Sequence, residues 1–233
     1  MKIDSEVQRQ YTEIVNSMYE FNPYFNLLLN GEFFRSRGVP IVNEYPPLKA
    51  TLEKYRKVIA KLKKRKYHEK TMLNILSNEN FTQEIGLNNN PNSFYTVNWD
   101  VDKLISLVGK YHLKPQTLPI EIVMSRLSTG SVPYVDDSMP IREEPIIVVQ
   151  YPMISEVPQI IVVDGNYRTV RKYTRGDETI DVFPVPQHIH MQAMLNDLSV
   201  TSYKVHHNCF HIIRYMMGEI TESKELKSFL FRF

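Results

Sequence analysis

The 233-residue chain is 42% hydrophobic and 23% charged with a net charge of +2, which predicts a packed core in one large domain or two small ones and excludes a generic polycation. One cysteine, Cys209, excludes an internal disulfide, and with the polar start at Lys2, Asp4 and Glu6 no signal peptide is expected. No stretch approaches ~18 apolar residues, so no membrane span is expected and the location expected is cytoplasmic.

Residues 5–20 read as a helix, with Tyr11, Ile14, Val15, Met18 and Tyr19 on one face and Asn22-Pro23 ending it. A short apolar helix follows over 24–29, and 36–47 is loop. Leu48, Leu52, Tyr55, Ile59 and Leu62 recur at spacings of four and three, so they share one helix face. Lys54, Lys57, Lys61 and Lys64 occupy another. This helix lies in the most basic part of the chain, residues 49–70, which hold ten Lys and Arg against two Glu. A further helix is predicted over 70–76. The run Asn88-Asn89-Asn90-Pro91-Asn92 breaks both helix and strand, and predicts a boundary between a helical half, 1–95, and a strand-rich half, 96–233.

Beyond it, 100–110 reads as a helix. Residues 118–124 read as a strand, with Ile120, Ile122 and Met124 alternating against Glu121 and Val123. Residues 130–140 are loop. Residues 145–150 and 159–163 are nearly unbroken apolar runs, which suits buried strands. A helix over 166–174, ended by Gly176, leads to a strand over 179–185. Two helices close the chain, 188–198 and 203–217, the second burying Val205, Cys209, Ile212, Ile213 and Met216. The segment 229–233 (Phe-Leu-Phe-Arg-Phe) is too apolar to hang free. It docks on the body or on a second subunit of a homodimer.

Chemistry concentrates at Val163-Asp164-Gly165-Asn166-Tyr167-Arg168. A buried strand delivers the chain to a sheet edge, Gly165 permits a sharp turn, and the next helix starts with backbone N–H groups that attract an anion. Arg168 lies in the first helical turn and Arg171 three residues on. An arginine there opposes the helix dipole, and a bound phosphate would supply the reason for it. Residue chemistry leaves a plainer reading open: Asp164 as a helix cap, Gly165 as a turn residue, both arginines in solvent.

The order of elements from 118 to 186, with a proline-led strand at Pro145, a strand ending in Asp164-Gly165-Asn166-Tyr167-Arg168, a helix, Gly176 and another strand, resembles the ParB/sulfiredoxin superfamily. The resemblance implies an α+β fold with a small mixed sheet of ParB/sulfiredoxin type, preceded by a helical N-terminal region and followed by C-terminal helices. It implies that Gly165, Asn166 and Arg168, with Arg171, hold phosphate, and that the cofactor is ATP or CTP with Mg²⁺. Asp164 or Glu144 would hold the Mg²⁺ or act as base in phosphoryl transfer or hydrolysis. Glu143 and Glu144 fall where some members place a functional acid. Asn166 stands where sulfiredoxins have their catalytic cysteine, and Thr169 where ParB proteins have a second arginine. The alternative is a non-catalytic DNA- or protein-binding module of a plasmid or phage, in which Lys54, Lys57, Lys61 and Lys64 also contact nucleic acid. A charged helix face is also what simple solvation produces.

Histidines gather near the end of the chain. His207 and His211 are four apart, which is metal-ligand spacing, though neither a Glu of zinc-protease type nor a cysteine pair completes a site, so packing is the expected role. His188 or His190 could face the phosphate turn as an acid–base group.

Overall fold

The computed structural model describes residues 5–64, 79–87, 90–127, 143–152 and 160–233. The fold is mixed α+β, and the chain divides into two compact units. One comprises Met1–Ser77, Thr82–Asn98 and Leu195–Phe233; the other comprises Asn78–Phe81 and Trp99–Met194. The helix expected over 70–76 and the loop over 130–140 lie outside the described residues. Among the described residues no helix is long and apolar enough to cross a membrane.

The first unit begins with α1 (Ser5–Ser17), β1 (Tyr19–Glu20), α2 (Asn22–Leu29), α3 (Glu32–Arg35) and α4 (Leu48–Lys63). The helix expected over 5–20 therefore stops early, and Asn22-Pro23 opens the next helix, with proline in the first turn where its missing N–H is harmless. β1 pairs antiparallel with β3 (Asn90–Asp100), whose other neighbour is β2 (Asn80–Leu87). Asn90, Pro91 and Asn92 of the stretch read as a boundary belong to β3 itself, and Asn88-Asn89 lie outside the described residues. Along β3, Ser93, Tyr95, Val97 and Trp99 are buried on one face, and Thr96 is buried on the other. The 95/96 division falls inside this strand, just before the crossing at Asn98, and residues 195–233 group with the first unit.

The core of this unit is aromatic. Phe21, Phe25 and Tyr95 pack together, with Tyr24 against Phe33. Leu52, Tyr55 and Ile59 are the buried face of α4, as the spacing predicts.

The second unit holds α5 (Val101–Lys110), β4 (Gln116–Pro119), α6 (Ile120–Met124), β5 (Ile146–Gln150), β6 (Ile160–Asp164), α7 (Asn166–Arg175), β7 (Thr179–Val185) and α8 (Gln187–His190). Its sheet runs β4-β7-β5-β6, with β5 antiparallel to β6 and parallel to β7. The strand expected over 118–124 is instead the end of β4 and a helix. Ile120 and Val123 are buried at a helical spacing of three while Ile122 is exposed, so period 3.6 wins over period 2. Ile120, Val123, Ile146, Val148, Ile160, Val162, Ile180 and Val182 form one apolar cluster.

Two last helices return to the first unit: α9 (Asp197–Met216) and α10 (Ser223–Phe229). The single helix expected over 188–198 is broken, because Asn196 is extended and its side chain accepts from the Ser199 N–H at 2.7 Å. That cap starts α9 six residues before the expected 203. The 229–233 segment docks on α9. Asn208 holds the Phe231 backbone at both ends, Nδ2 to the carbonyl and Oδ1 from the N–H, each at 2.8 Å.

Candidate phosphate-binding turn

β6 meets β5 with Ile147 opposite Asp164 and Val148 opposite Val162, so Val163 is an extra residue that bends the strand end. Gly165 follows with φ +99° and ψ +17°. A Cβ on it would lie 2.3 Å from Ile146 Cγ2 and 2.7 Å from Ile146 Cβ. The turn therefore rests directly on a buried side chain of β5, and only glycine satisfies both the dihedral and the space. Thr169 closes the first turn of α7 by donating its N–H (2.9 Å) and its hydroxyl (3.0 Å) to the Gly165 carbonyl. Thr169 thus stitches the backbone.

Arg168 is where the turn becomes chemical. Its side chain is 14% exposed. Nη2 donates to Asp164 Oδ2 at 2.7 Å, and Nη1 donates to Glu144 Oε2 at 3.4 Å. Its Nε is buried without a hydrogen-bond partner among the described residues, and so is Asn166 Oδ1 at the start of the helix. The structure brings Asp164, Glu144, Gly165, Asn166 and Arg168 together. The two expected catalytic carboxylates both lie on the guanidinium. Arg171 sits over the ring of Tyr167, 5.6 Å from its centroid.

Further along α7, Lys172 donates to Glu143, and Arg175 pairs with both Glu143 and Asp177. These contacts hold the Glu143 carboxyl below the usual range, with Lys172 the larger cause and Arg175 the smaller. Arg175 does the same to Asp177. The sequence reading did not single out Lys172 or Arg175. The signal was present in part: 168, 172 and 175 follow the helical spacing of four and three.

Among the described residues no three His, Cys, Asp or Glu side chains converge as a metal site.

Lys54, Lys57 and Lys61 on α4, and Lys64 at its C-cap, are all exposed in the first unit. They form one row opposite the buried Leu52, Tyr55 and Ile59. If this row neutralises phosphates, replacing all four by Gln is expected to weaken duplex DNA binding and to flatten its logarithmic salt slope by roughly three. A filter-binding series across salt concentrations measures this, and an unchanged slope would remove the row from any nucleic-acid role.

His190 is fully buried beside Trp99, and burial pushes its pKa down to about 3. It interacts with Gln150, at the end of β5 away from Ile146 and the turn. The expectation that His190 serves the turn is therefore corrected; His188 is exposed. In the first unit, His207 and His211 face each other with their Nε2 atoms 3.2 Å apart, covered by Phe231 and Phe229. His206 meets the Tyr95 hydroxyl through Nδ1 at 3.1 Å. Burial lowers the pKa of His206 to about 3, of His207 to about 4 and of His211 to about 3. Cys209 is buried on the same helix, and burial pushes its thiol pKa up, so it is not a nucleophile at neutral pH.

Comparison with protein-family models, with curated proteins and with solved structures finds no match to this chain.

Proposed function

We propose that the Asp164–Arg168 turn binds a phosphate group of a nucleotide or a nucleic acid, in a domain of ParB/sulfiredoxin type. The observation that carries this reading is Arg168. A guanidinium in the first turn of α7 opposes the helix dipole, and this one is mostly withdrawn from water, its Nε without a partner among the described residues. An anion beside it would offset both penalties and would also meet the N–H groups of the helix start. The strand connectivity supports the fold type. β5 and β6 form an antiparallel pair, α7 follows, and β7 returns parallel to β5.

Asp164 makes the shorter bond to Arg168 and is the less exposed of its two carboxylates, 27% against 69% for Glu144. In this reading Asp164 orients the guanidinium, while Glu144 gives way to phosphate. ATP or CTP with Mg²⁺ is the expected ligand, and phosphoryl transfer or hydrolysis the expected chemistry. The exposed lysine row of α4 favours a second reading, a non-catalytic DNA-binding module of a plasmid or phage. Turnover of ATP or CTP by the purified protein separates the two.

Arg168→Ala is expected to weaken phosphate-ligand binding by ~1.5–3 kcal/mol, the range for hydrogen bonds to a charged group, with little change in fold. Calorimetric titration of ATP, CTP and tripolyphosphate, with and without Mg²⁺, measures it. Equal affinity in mutant and wild type would sink the assignment.

A further inference from the structure

We propose that Glu143 and Glu144 form an acidic strap over the cationic face of α7, and that a chain of phosphates displaces this strap to bind Arg168, Lys172 and Arg175 together. This rests on the phosphate reading of the turn and extends it along the helix.

The geometry points to an exchangeable contact. Arg168, Lys172 and Arg175 lie on one face of α7, and the row spans about 10 Å at the helical rise of 1.5 Å per residue. A single phosphate cannot reach all three, whereas linked phosphates can. Each cation in the row is met by an acid of the segment entering β5: Arg168 by Glu144, and Lys172 and Arg175 by Glu143. The exposure within these pairs is lopsided. Lys172 is 11% exposed, but its partner Glu143 is 62% exposed. Arg168 and Lys172 are thus built into the body, Arg175 at the end of the row is 44% exposed, and both acids sit at the surface. Ion pairs with so exposed a partner are weak, because water competes for the carboxylate. A phosphate chain carries more charge per length and more acceptor oxygens than two neighbouring carboxylates, so it wins the exchange once it is present. Asp164 and Asp177, next to the two ends of α7, stay in place and keep Arg168 and Arg175 aimed.

The strap raises the threshold for binding. An isolated phosphate, which gains only Arg168 and the helix start, displaces Glu144 alone. A longer chain also recovers Lys172 and Arg175. The face therefore selects for linked phosphates, whether in a nucleoside triphosphate or in a nucleic-acid backbone.

The test uses the full chain carrying Glu143→Gln and Glu144→Gln, with melting checked against wild type. If the double variant melts early, Glu144→Gln alone serves, since its bond is long and exposed. Probes are inorganic phosphate, tripolyphosphate, ATP, CTP and a short single-stranded oligonucleotide at low salt. Affinity for a linked-phosphate probe is expected to rise roughly three- to tenfold, the factor that such exposed ion pairs are worth together. Inorganic phosphate should gain less, and adding Lys172→Gln and Arg175→Gln should abolish the gain. A gain with tripolyphosphate and nucleotides assigns the face to nucleotides; a gain confined to the oligonucleotide assigns it to a nucleic-acid backbone. Unchanged affinity in the strap variant, with Arg168→Ala still weakening binding, overturns the strap and leaves the turn standing. No binding of any probe by wild type or variant overturns both.

Discussion

Gly165→Val is expected to destabilise the protein by about 2–5 kcal/mol, combining the ~1–2 kcal/mol of a left-handed residue with a Cβ and the ~1–3 kcal/mol of an overpacked core. Gly165 has φ +99°, and the new Cβ would meet Ile146 at 2.3 Å. The contact is with Cγ2 and Cβ of a β-branched side chain in a buried strand, which has no flexible end to swing away. For a chain of this length a shift of roughly 10 °C in melting temperature follows. Ligand affinity is then best read at a temperature well below the lowered transition. A valine variant that melts like wild type would show that the turn yields easily and that glycine is not required there.

Acidification is the second large effect. His206, His207 and His211 all have native pKa values lowered by burial, to about 3, 4 and 3. Above the unfolded value near 6.5 all three are neutral in both states, so their contribution to stability is complete. As pH falls below 6.5 the unfolded chain takes up protons that the native state refuses, and stability declines. By pH 5 the loss is up to about 2 kcal/mol for His206, and smaller for His207 and His211, which adjoin each other and are less fully withdrawn from solvent. Glu143 and Asp177, whose pKa values are held down, lose their contributions only below their unfolded values, near 4.5 and 3.8. The window from pH 6.5 to 4.5 therefore isolates the histidines. Denaturant titrations at pH 7.5 and 5.0 measure the change, and His206→Asn should reduce it. Identical unfolding midpoints at the two pH values would contradict the burial argument.

The β5–β6–α7–β7 core was legible because each of its signals is local. Apolar runs of five, Gly165 and Gly176 at the two ends of α7, and Pro186 after β7 all stand in the sequence itself. Asp164 and Arg168 are four apart, so their ion pair could also have been read. Glu143 with Lys172 could not, because 29 residues separate them and only the folded sheet brings them together. The missed strand β3 shows two signals in conflict. Ser93, Tyr95, Val97 and Trp99 alternate clearly, but the asparagines before them argued for a break. At Ile120–Met124 the error was one of period. Two isoleucines and a methionine two apart suit a strand, yet Pro119 and the pair Ile120 and Val123 suit a helix, and packing in the apolar cluster decides it.

The first unit is interrupted by the second. The Leu195 N–H donates to the Asn98 carbonyl at 3.0 Å, and Trp99 bridges to Met194. The chain thus leaves and re-enters through one doorway. Synthesis on a ribosome runs in one direction, so residues 99–194 emerge before α9 exists. Strands β4 to β7 and α7, which bears Arg168, are then all made while the nascent first unit still lacks Ser199 for Tyr19, His206 for Tyr95 and Asn208 for Tyr55. The inserted unit is thus complete in sequence before the unit that starts first.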